Sequence, residues 1–256
     1  ADLNVMFATA SGNVRRNNLS DFTNIKRNGK IAMKLQDGDD LVGVLPCSDN
    51  DDVLMASRNG KAIRFAANAV RVFRGRDSTG VRGIRLLGND RVVSMSIITD
   101  EASEYILSVT ENGYGKRTQV SDYRRSGRGG QGVANIETSE RNGQVMASFT
   151  VVEEDQLMLV TNMGQVIRIR IHGAEGDSIR IAGRKTQGVR LFDVADDESE
   201  KVVSAGLVRE ADSEDNEDIN VGTDGENAHA DANNFGGSGD STDKHTNDTT
   251  HNETGE

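Results

Sequence analysis

The second copy of a four-fold pattern reads Val53-Leu54-Met55-Ala56-Ser57, with Gly60 three residues further on and Arg64 four residues beyond that glycine. Each copy starts with a short apolar run ending in Thr or Ser, which is typical of a buried strand, and its glycine suits a tight turn. A strand, a glycine turn and a second strand that carries arginine predict a β-hairpin. The other copies are Val5–Thr9 with Gly12 and Arg16, Ile106–Thr110 with Gly113 and Arg117, and Leu157–Thr161 with Gly164 and Arg168.

Two further elements recur in each copy. A second glycine opens another predicted short strand, with an apolar side chain four residues later, and an apolar pair then precedes a small residue. The glycines are Gly29, Gly80, Gly132 and Gly188, and the pairs are Leu41-Val42, Val92-Val93, Val145-Met146 and Val202-Val203. No segment has a sustained helical period. Four units of about 50 residues with about four strands each predict an all-β, propeller-like fold, in which each unit buries an apolar face against its neighbour.

The net charge of −11 is divided unevenly along the chain. Residues 210–256 contain 14 acidic residues and one lysine, whereas residues 1–209 contain 27 acidic and 29 basic residues and every arginine. The C-terminal part has too few apolar residues to offset the entropy of ordering it. We therefore predict a folded domain over residues 1–208 and a disordered acidic tail over residues 209–256.

The body offers little for catalysis or metal binding. The chain has one cysteine, and His172 is the only histidine before residue 210. No nucleophile–base set can be assembled from these residues, and one cysteine excludes a zinc site built from cysteines. We predict no catalytic, cofactor-binding or metal-ligating residues, and no apolar run is long enough to cross a membrane.

Basic residues recur at equivalent places of the repeats, on the hairpin strand and around the second glycine. Equivalent positions of stacked repeats share a face, and the arginine fork suits phosphate oxygens. Few aromatic residues accompany these cations, so the pattern favours backbone contacts to duplex DNA over base stacking. A solvated face of mixed charge and a propeller that binds another protein are the alternatives. The predicted DNA-binding residues are Arg15, Arg16, Lys26, Arg27, Lys30, Arg64, Arg74, Arg76, Arg82, Arg85, Lys116, Arg117, Arg124, Arg125, Arg128, Arg168, Arg170, Arg184, Lys185 and Arg190.

Five stretches carry a resemblance to a known family: Gly12–Arg16, Gly29–Leu35, Thr79–Leu86, Glu111–Thr118 and Gly183–Val189. Over about residues 1–208 the chain resembles the C-terminal domain of the A subunit of bacterial DNA gyrase. The resemblance implies a β-pinwheel, a propeller that exchanges strands between blades and wraps duplex DNA around its basic perimeter. It also implies a type II topoisomerase heterotetramer that includes the gyrase B subunit, located in the cytoplasm on the bacterial chromosome. ATP and Mg²⁺ are then used by other domains of that assembly. The corresponding domain of topoisomerase IV is the alternative within this class.

The sequence departs from the family pattern in three respects. The family domain has six blades and this chain has four repeats, so we expect a fragment that lacks the first blades. The stretch Ser126–Gly132 is similar to the family's glycine-rich gyrase box, but it stands in the third repeat. The catalytic tyrosine of the family is expected outside this chain. Because the tail is so acidic, we also expect it to compete with DNA for the basic surface.

Overall fold

The structure is a computed structural model, and it describes residues 3–25, 27–173, 178–192 and 199–208. The chain divides into two units, Ala1–Asp212 and Ser213–Glu256, and all described residues lie in the first. The predicted disordered tail lies outside the described residues. The described part contains short 3-10 turns at Leu19–Phe22, Ala67–Ala69 and Val120–Asp122. Its strands are β1 (Asn4–Thr9), β2 (Asn13–Asn18), β3 (Leu41–Cys47), β4 (Asp52–Ser57), β5 (Lys61–Ala66), β6 (Val81–Arg82), β7 (Val92–Ile98), β8 (Tyr105–Thr110), β9 (Tyr114–Gln119), β10 (Val133–Ala134), β11 (Val145–Val151), β12 (Gln156–Thr161), β13 (Val166–Arg170), β14 (Val189–Arg190) and β15 (Val202–Val208).

The four predicted hairpins are present. They are β1–β2, β4–β5, β8–β9 and β12–β13, and all four are antiparallel. The turn glycines Gly12, Gly60, Gly113 and Gly164 have positive φ angles of 88°, 78°, 76° and 83°, which residues with a Cβ rarely adopt. The first strand of each hairpin also pairs with the strand that ends its repeat, namely β3, β7, β11 or β15. One repeat therefore supplies three strands of one sheet, which we call a blade.

The fourth strand of a blade comes from the next repeat. β6 belongs to the second repeat by sequence, yet it pairs with β2 of the first repeat. In the same way β10 pairs with β5, and β14 pairs with β9. The sheet orders are β3-β1-β2-β6, β10-β5-β4-β7, β11-β8-β9-β14 and β13-β12-β15. The structure is thus a four-bladed, propeller-like arrangement with strands exchanged between blades, as predicted.

One predicted strand is absent from the described residues. It is the short strand expected after Gly29, where the segment forms no strand. A two-residue strand needs an acceptor strand, and the surroundings of Gly132 and Gly29 show where one exists. A Cβ placed on Gly132 would lie 2.3 Å from the carbonyl oxygen of Ala62 in β5, whereas one placed on Gly29 meets nothing within 4 Å. No described strand pairs with the Gly29 segment, and its Met33 packs against Val5 and Phe7 of β1 instead.

Apolar side chains between neighbouring blades form the core. Met6 of the first blade packs in one cluster with Met55 and Phe65 of the second, and Leu107 of the third packs with Leu159 of the fourth. The closing strands pack side by side, since β7 contacts both β3 and β11, and β11 contacts β15. We call this the inner edge of the blades, and the opposite edge, where β6, β10 and β14 lie, the outer edge.

Candidate nucleic-acid interface

The arginine that recurs in the hairpin pattern is buried in three of the four blades. Arg16, Arg64 and Arg117 are only 4%, 7% and 3% exposed. Each reaches a carboxylate in the turn that leads to the next blade. Arg16 pairs with Asp49, Arg64 with Glu101 at 2.6 Å, and Arg117 with Glu153 at 3.8 Å. The recurrence therefore reflects a repeated intramolecular ion pair between a buried arginine and a carboxylate at the surface.

Arg64 also holds the incoming segment of the next repeat. Its Nε donates to Asp52 Oδ2 at 2.7 Å, and its Nη1 donates to the carbonyl oxygens of Val120 and Tyr123 at 3.2 and 3.3 Å. Burial by itself lowers the pKa of Arg64, but the hydrogen bonds to Glu101 and Asp52 outweigh it and raise the pKa above its ordinary value. Its charge is therefore compensated within the fold.

The residues before two of these arginines are buried as well. Arg15 is 1% exposed, and its Nη1 donates to the carbonyl oxygen of Ser78 at 2.6 Å. Lys116 is fully buried, and its Nζ donates to the carbonyl oxygen of Gly183. Burial lowers the pKa of Lys116 to about 8. Both cations hold backbone carbonyls of the following repeat and so join neighbouring blades.

The prediction of DNA contact is wrong for Arg15, Arg16, Arg64, Lys116 and Arg117. Their strands β2, β5 and β9 look like outer hairpin strands in the sequence, but the next repeat covers each of them. A buried guanidinium or ammonium group that already binds carboxylates and carbonyls cannot reach a phosphate outside. These five side chains fasten one blade to the next.

The other predicted residues lie mostly at the surface, where DNA contact remains a prediction. The exposed ones are Arg27, Arg74, Arg82, Arg85, Arg124, Arg125, Arg128, Arg168, Arg170, Lys185 and Arg190, and the half-buried ones are Lys30, Arg76 and Arg184. Some of them also make structural contacts. Arg128 donates to the carbonyl oxygen of Arg82 at 3.1 Å, and Arg125 pairs with Asp52 at 2.8 Å. Lys26 lies outside the described residues.

Most of the exposed cations belong to three segments on the outer edge. We call residues 71–85, 124–134 and 178–190 the exchange segments, because each runs along the blade before its own and contains β6, β10 or β14. Together they hold twelve basic residues and one acidic residue, Asp77. Consecutive segments touch, since the amide of Arg85 donates to the carbonyl oxygen of Gly130 at 2.8 Å and Nη1 of Arg184 donates to the carbonyl oxygen of Ala134 at 2.9 Å. They form one continuous strip, the basic rim.

Acidic residues are concentrated elsewhere, in the turns between blades. Residues 48–51, 99–104 and 152–155 contain eight acidic residues and no basic residue. Two exposed arginines outside the basic rim are paired, Arg58 with Glu111 at 2.9 Å and Arg91 with Asp40 at 3.5 Å. Charge is therefore segregated, with positive charge concentrated on the basic rim and carboxylates concentrated in the turns.

The sequence prediction missed Arg71 and Arg180, which are exposed at the start of two exchange segments. These two arginines are identified by their position next to the hydrogen bonds that join one repeat to the next. A sequence pattern that describes only the hairpins contains no information on those bonds. Isolated parallel bridges join Arg16 to Val72 and Arg117 to Ile181. Arg71 and Arg180 each stand one residue before such a bridge.

Three further properties bear on the type of site. Within the described ranges, no group of three or more His, Cys, Asp or Glu side chains could hold a metal ion. In that same part of the chain, no helix has the length and apolar character that crossing a membrane requires. Cys47 is buried, and burial raises the pKa of its thiol to about 11, which keeps it protonated and unreactive at neutral pH.

The exchanged outer strands and the basic rim define a propeller-like protein whose perimeter suits a polyanion. The chain belongs to the family described as "DNA gyrase C-terminal domain, beta-propeller", whose profile matches residues 3–48, 51–99, 104–151 and 155–209. These four ranges coincide with the four repeats.

Similar proteins are the A subunits of DNA gyrase from several bacteria. Those of Rickettsia bellii, Granulibacter bethesdensis and Salmonella typhimurium are 38%, 40% and 43% identical over 85%, 83% and 86% of this chain. The matched region is only 28%, 28% and 24% of their own length.

Two solved structures have a similar fold. A DNA gyrase A C-terminal domain has a TM-score of 0.69 at 26% identity, and the match covers 80% of this chain and 66% of that one. The C-terminal domain of a DNA topoisomerase IV has a TM-score of 0.73 at 23% identity, with 82% and 62% covered, which shows a common fold alone.

Proposed function

We propose that residues 1–208 bind duplex DNA through its phosphates, without reading base sequence, and bend it along the basic rim. The observation that carries this proposal is the segregation of charge, with twelve basic residues and one acidic residue on the exchange segments. Arginine forks on such a strip suit phosphate oxygens, and phosphate contacts position a protein on DNA without carrying sequence information.

The proposed context is the A subunit of DNA gyrase, because relatives 38–43% identical carry that name. The chain spans about a quarter of their length, so the whole protein's activity is part of the proposal. In that context this domain wraps DNA for a type II topoisomerase that introduces negative supercoils. The remainder of the A subunit, together with the B subunit, completes the heterotetramer, and other domains supply the chemistry with ATP and Mg²⁺. The assembly acts in the cytoplasm on the bacterial chromosome.

The salt dependence of binding tests the phosphate contacts. We expect the affinity of the chain for a linear duplex to fall steeply between low and moderate salt, with a slope of log K against log salt of roughly −5 if about six phosphates are neutralised. Duplexes of unrelated sequence should give the same slope. An affinity that does not change over this range of salt would refute the proposal.

Bending is tested separately from binding. A nicked plasmid is closed by ligase with the chain bound, the protein is removed, and the topoisomers are counted. A chiral bend around the basic rim shifts the linking number in proportion to bound protein. An unshifted distribution at saturating protein would reduce the proposal to binding alone. Complete absence of binding, with no protection against nuclease, would favour the propeller that binds a protein partner.

A further inference from the structure

An exposed arginine recurs at the same position in each exchange segment, relative to the backbone hydrogen bond that joins the segment to the preceding blade. In three blades the carbonyl oxygen of the buried arginine accepts a backbone hydrogen bond from the exchange segment, from Phe73 to Arg16 at 2.8 Å, from Ser126 to Arg64 at 2.9 Å, and from Ala182 to Arg117 at 2.8 Å. The residue two positions before each donor is an arginine. These residues are Arg71, Arg124 and Arg180.

The three arginines share an environment as well as a register. All three are exposed, and none makes an ion pair with a residue that the structure describes. The backbone of Arg180 itself is also held, because the amide of Arg117 donates to the Arg180 carbonyl oxygen at 2.9 Å. Arg71 lies over the ring of Phe73, with its guanidinium carbon 4.2 Å from the ring centre.

We propose that Arg71, Arg124 and Arg180 are phosphate contacts of the basic rim that repeat at the same register, one such arginine in each exchange segment. This inference rests on the proposed function. The backbone bonds fix each Cα in the same place on its blade, so less side-chain and backbone freedom is lost when a phosphate binds. The two kinds of arginine have different roles. The buried arginine of each blade joins neighbouring blades, and the exposed arginine faces the duplex.

Two triple variants of the full chain test the proposal. R71A/R124A/R180A removes the proposed contacts, and R58A/R91A/R141A removes the same charge from exposed arginines outside the exchange segments. The affinity for a linear duplex is measured across a salt series, after circular dichroism has shown that both variants are folded.

The first variant should lose roughly 2.7 from the magnitude of the salt slope, which corresponds to three phosphates, and the second should lose much less. R71K/R124K/R180K should restore most of the slope, because lysine still neutralises a phosphate, while the loss of the bidentate fork leaves the affinity lower. Equal losses in the two alanine variants would overturn the inference and leave the proposed function standing. Failure of the parent chain to bind DNA would overturn the proposed function itself.

Discussion

Replacing Arg64 with alanine should destabilise the protein without removing a DNA contact. The Arg64 and Asp52 side chains are each 7% exposed, and the Arg64 guanidinium makes two ion pairs and two further hydrogen bonds to carbonyls. Truncation leaves Asp52 buried with only Arg125 as an ionic partner among the described residues. Breaking a buried pair from one side costs roughly 3–5 kcal/mol. For a domain of this size that cost lowers Tm by about 10 °C.

Thermal unfolding and DNA affinity are measured together, with Arg82→Ala as the control. Arg82 is exposed on β6, so its loss should leave Tm within about 2 °C of the parent and reduce the salt slope by roughly 0.9. R64A should show the opposite behaviour, a much lower Tm and an unchanged slope below that Tm. An R64A protein with the parent's Tm and a shallower slope would refute the assignment of Arg64 to blade fastening.

Three other perturbations have defined outcomes. Lys116→Ile, which copies Ile63 of the second blade, should leave the free energy of unfolding at pH 7 unchanged or raise it by up to roughly 3 kcal/mol, because a buried charge is replaced by an apolar group. Burial lowers the Lys116 pKa from 10.5 to about 8, so the unfolded chain binds more protons between these values and stability contributed by this group rises with pH there; K116I should lose that rise. Gly132→Ala should cost roughly 2 kcal/mol more than Gly29→Ala in urea unfolding, because both have positive φ but only Gly132 lies against a carbonyl oxygen. Truncation after Arg209 should tighten DNA binding at low salt, because it removes a net charge of −13 that competes with phosphate.

Each of these has a contradicting result. A K116I stability curve parallel to the parent's from pH 8 to 10.5 would show that the Lys116 pKa is not lowered in the folded state. Equal costs for the two glycine substitutions would mean that the exchange does not bring the backbone close at Gly132. Unchanged low-salt affinity after truncation would exclude competition by the tail.

The hairpins and the four-bladed architecture could be predicted from the sequence, because both depend on local signals. An apolar run, a glycine turn and an arginine strand lie within about twelve residues of each other in every repeat. The exchange is not local, since β6 follows β5 in the chain but pairs with β2. A two-residue strand has no hydrophobic pattern that identifies its partner, so the resemblance to a known family was the only guide to the exchange.

The site was harder to predict than the fold, because an arginine that recurs at the same position of every repeat has two physical explanations. The same spacing arises whether the guanidinium binds phosphate or binds a carboxylate of its own repeat. The distinguishing signal was present, since Asp49, Glu101 and Glu153 follow the recurring arginine by 33 to 37 residues in three repeats. A cation that recurs with its own acidic partner indicates an internal ion pair, whereas the proposed phosphate contacts of the exchange segments recur without one.

The location of the DNA is tested most directly by amide hydrogen exchange with and without a linear duplex. We expect slower exchange on DNA binding in the exchange segments, residues 71–85, 124–134 and 178–190, and unchanged exchange in the acidic turns at residues 48–51, 99–104 and 152–155. Slower exchange in the acidic turns, with none in the exchange segments, would contradict the claim that the basic rim is where DNA binds.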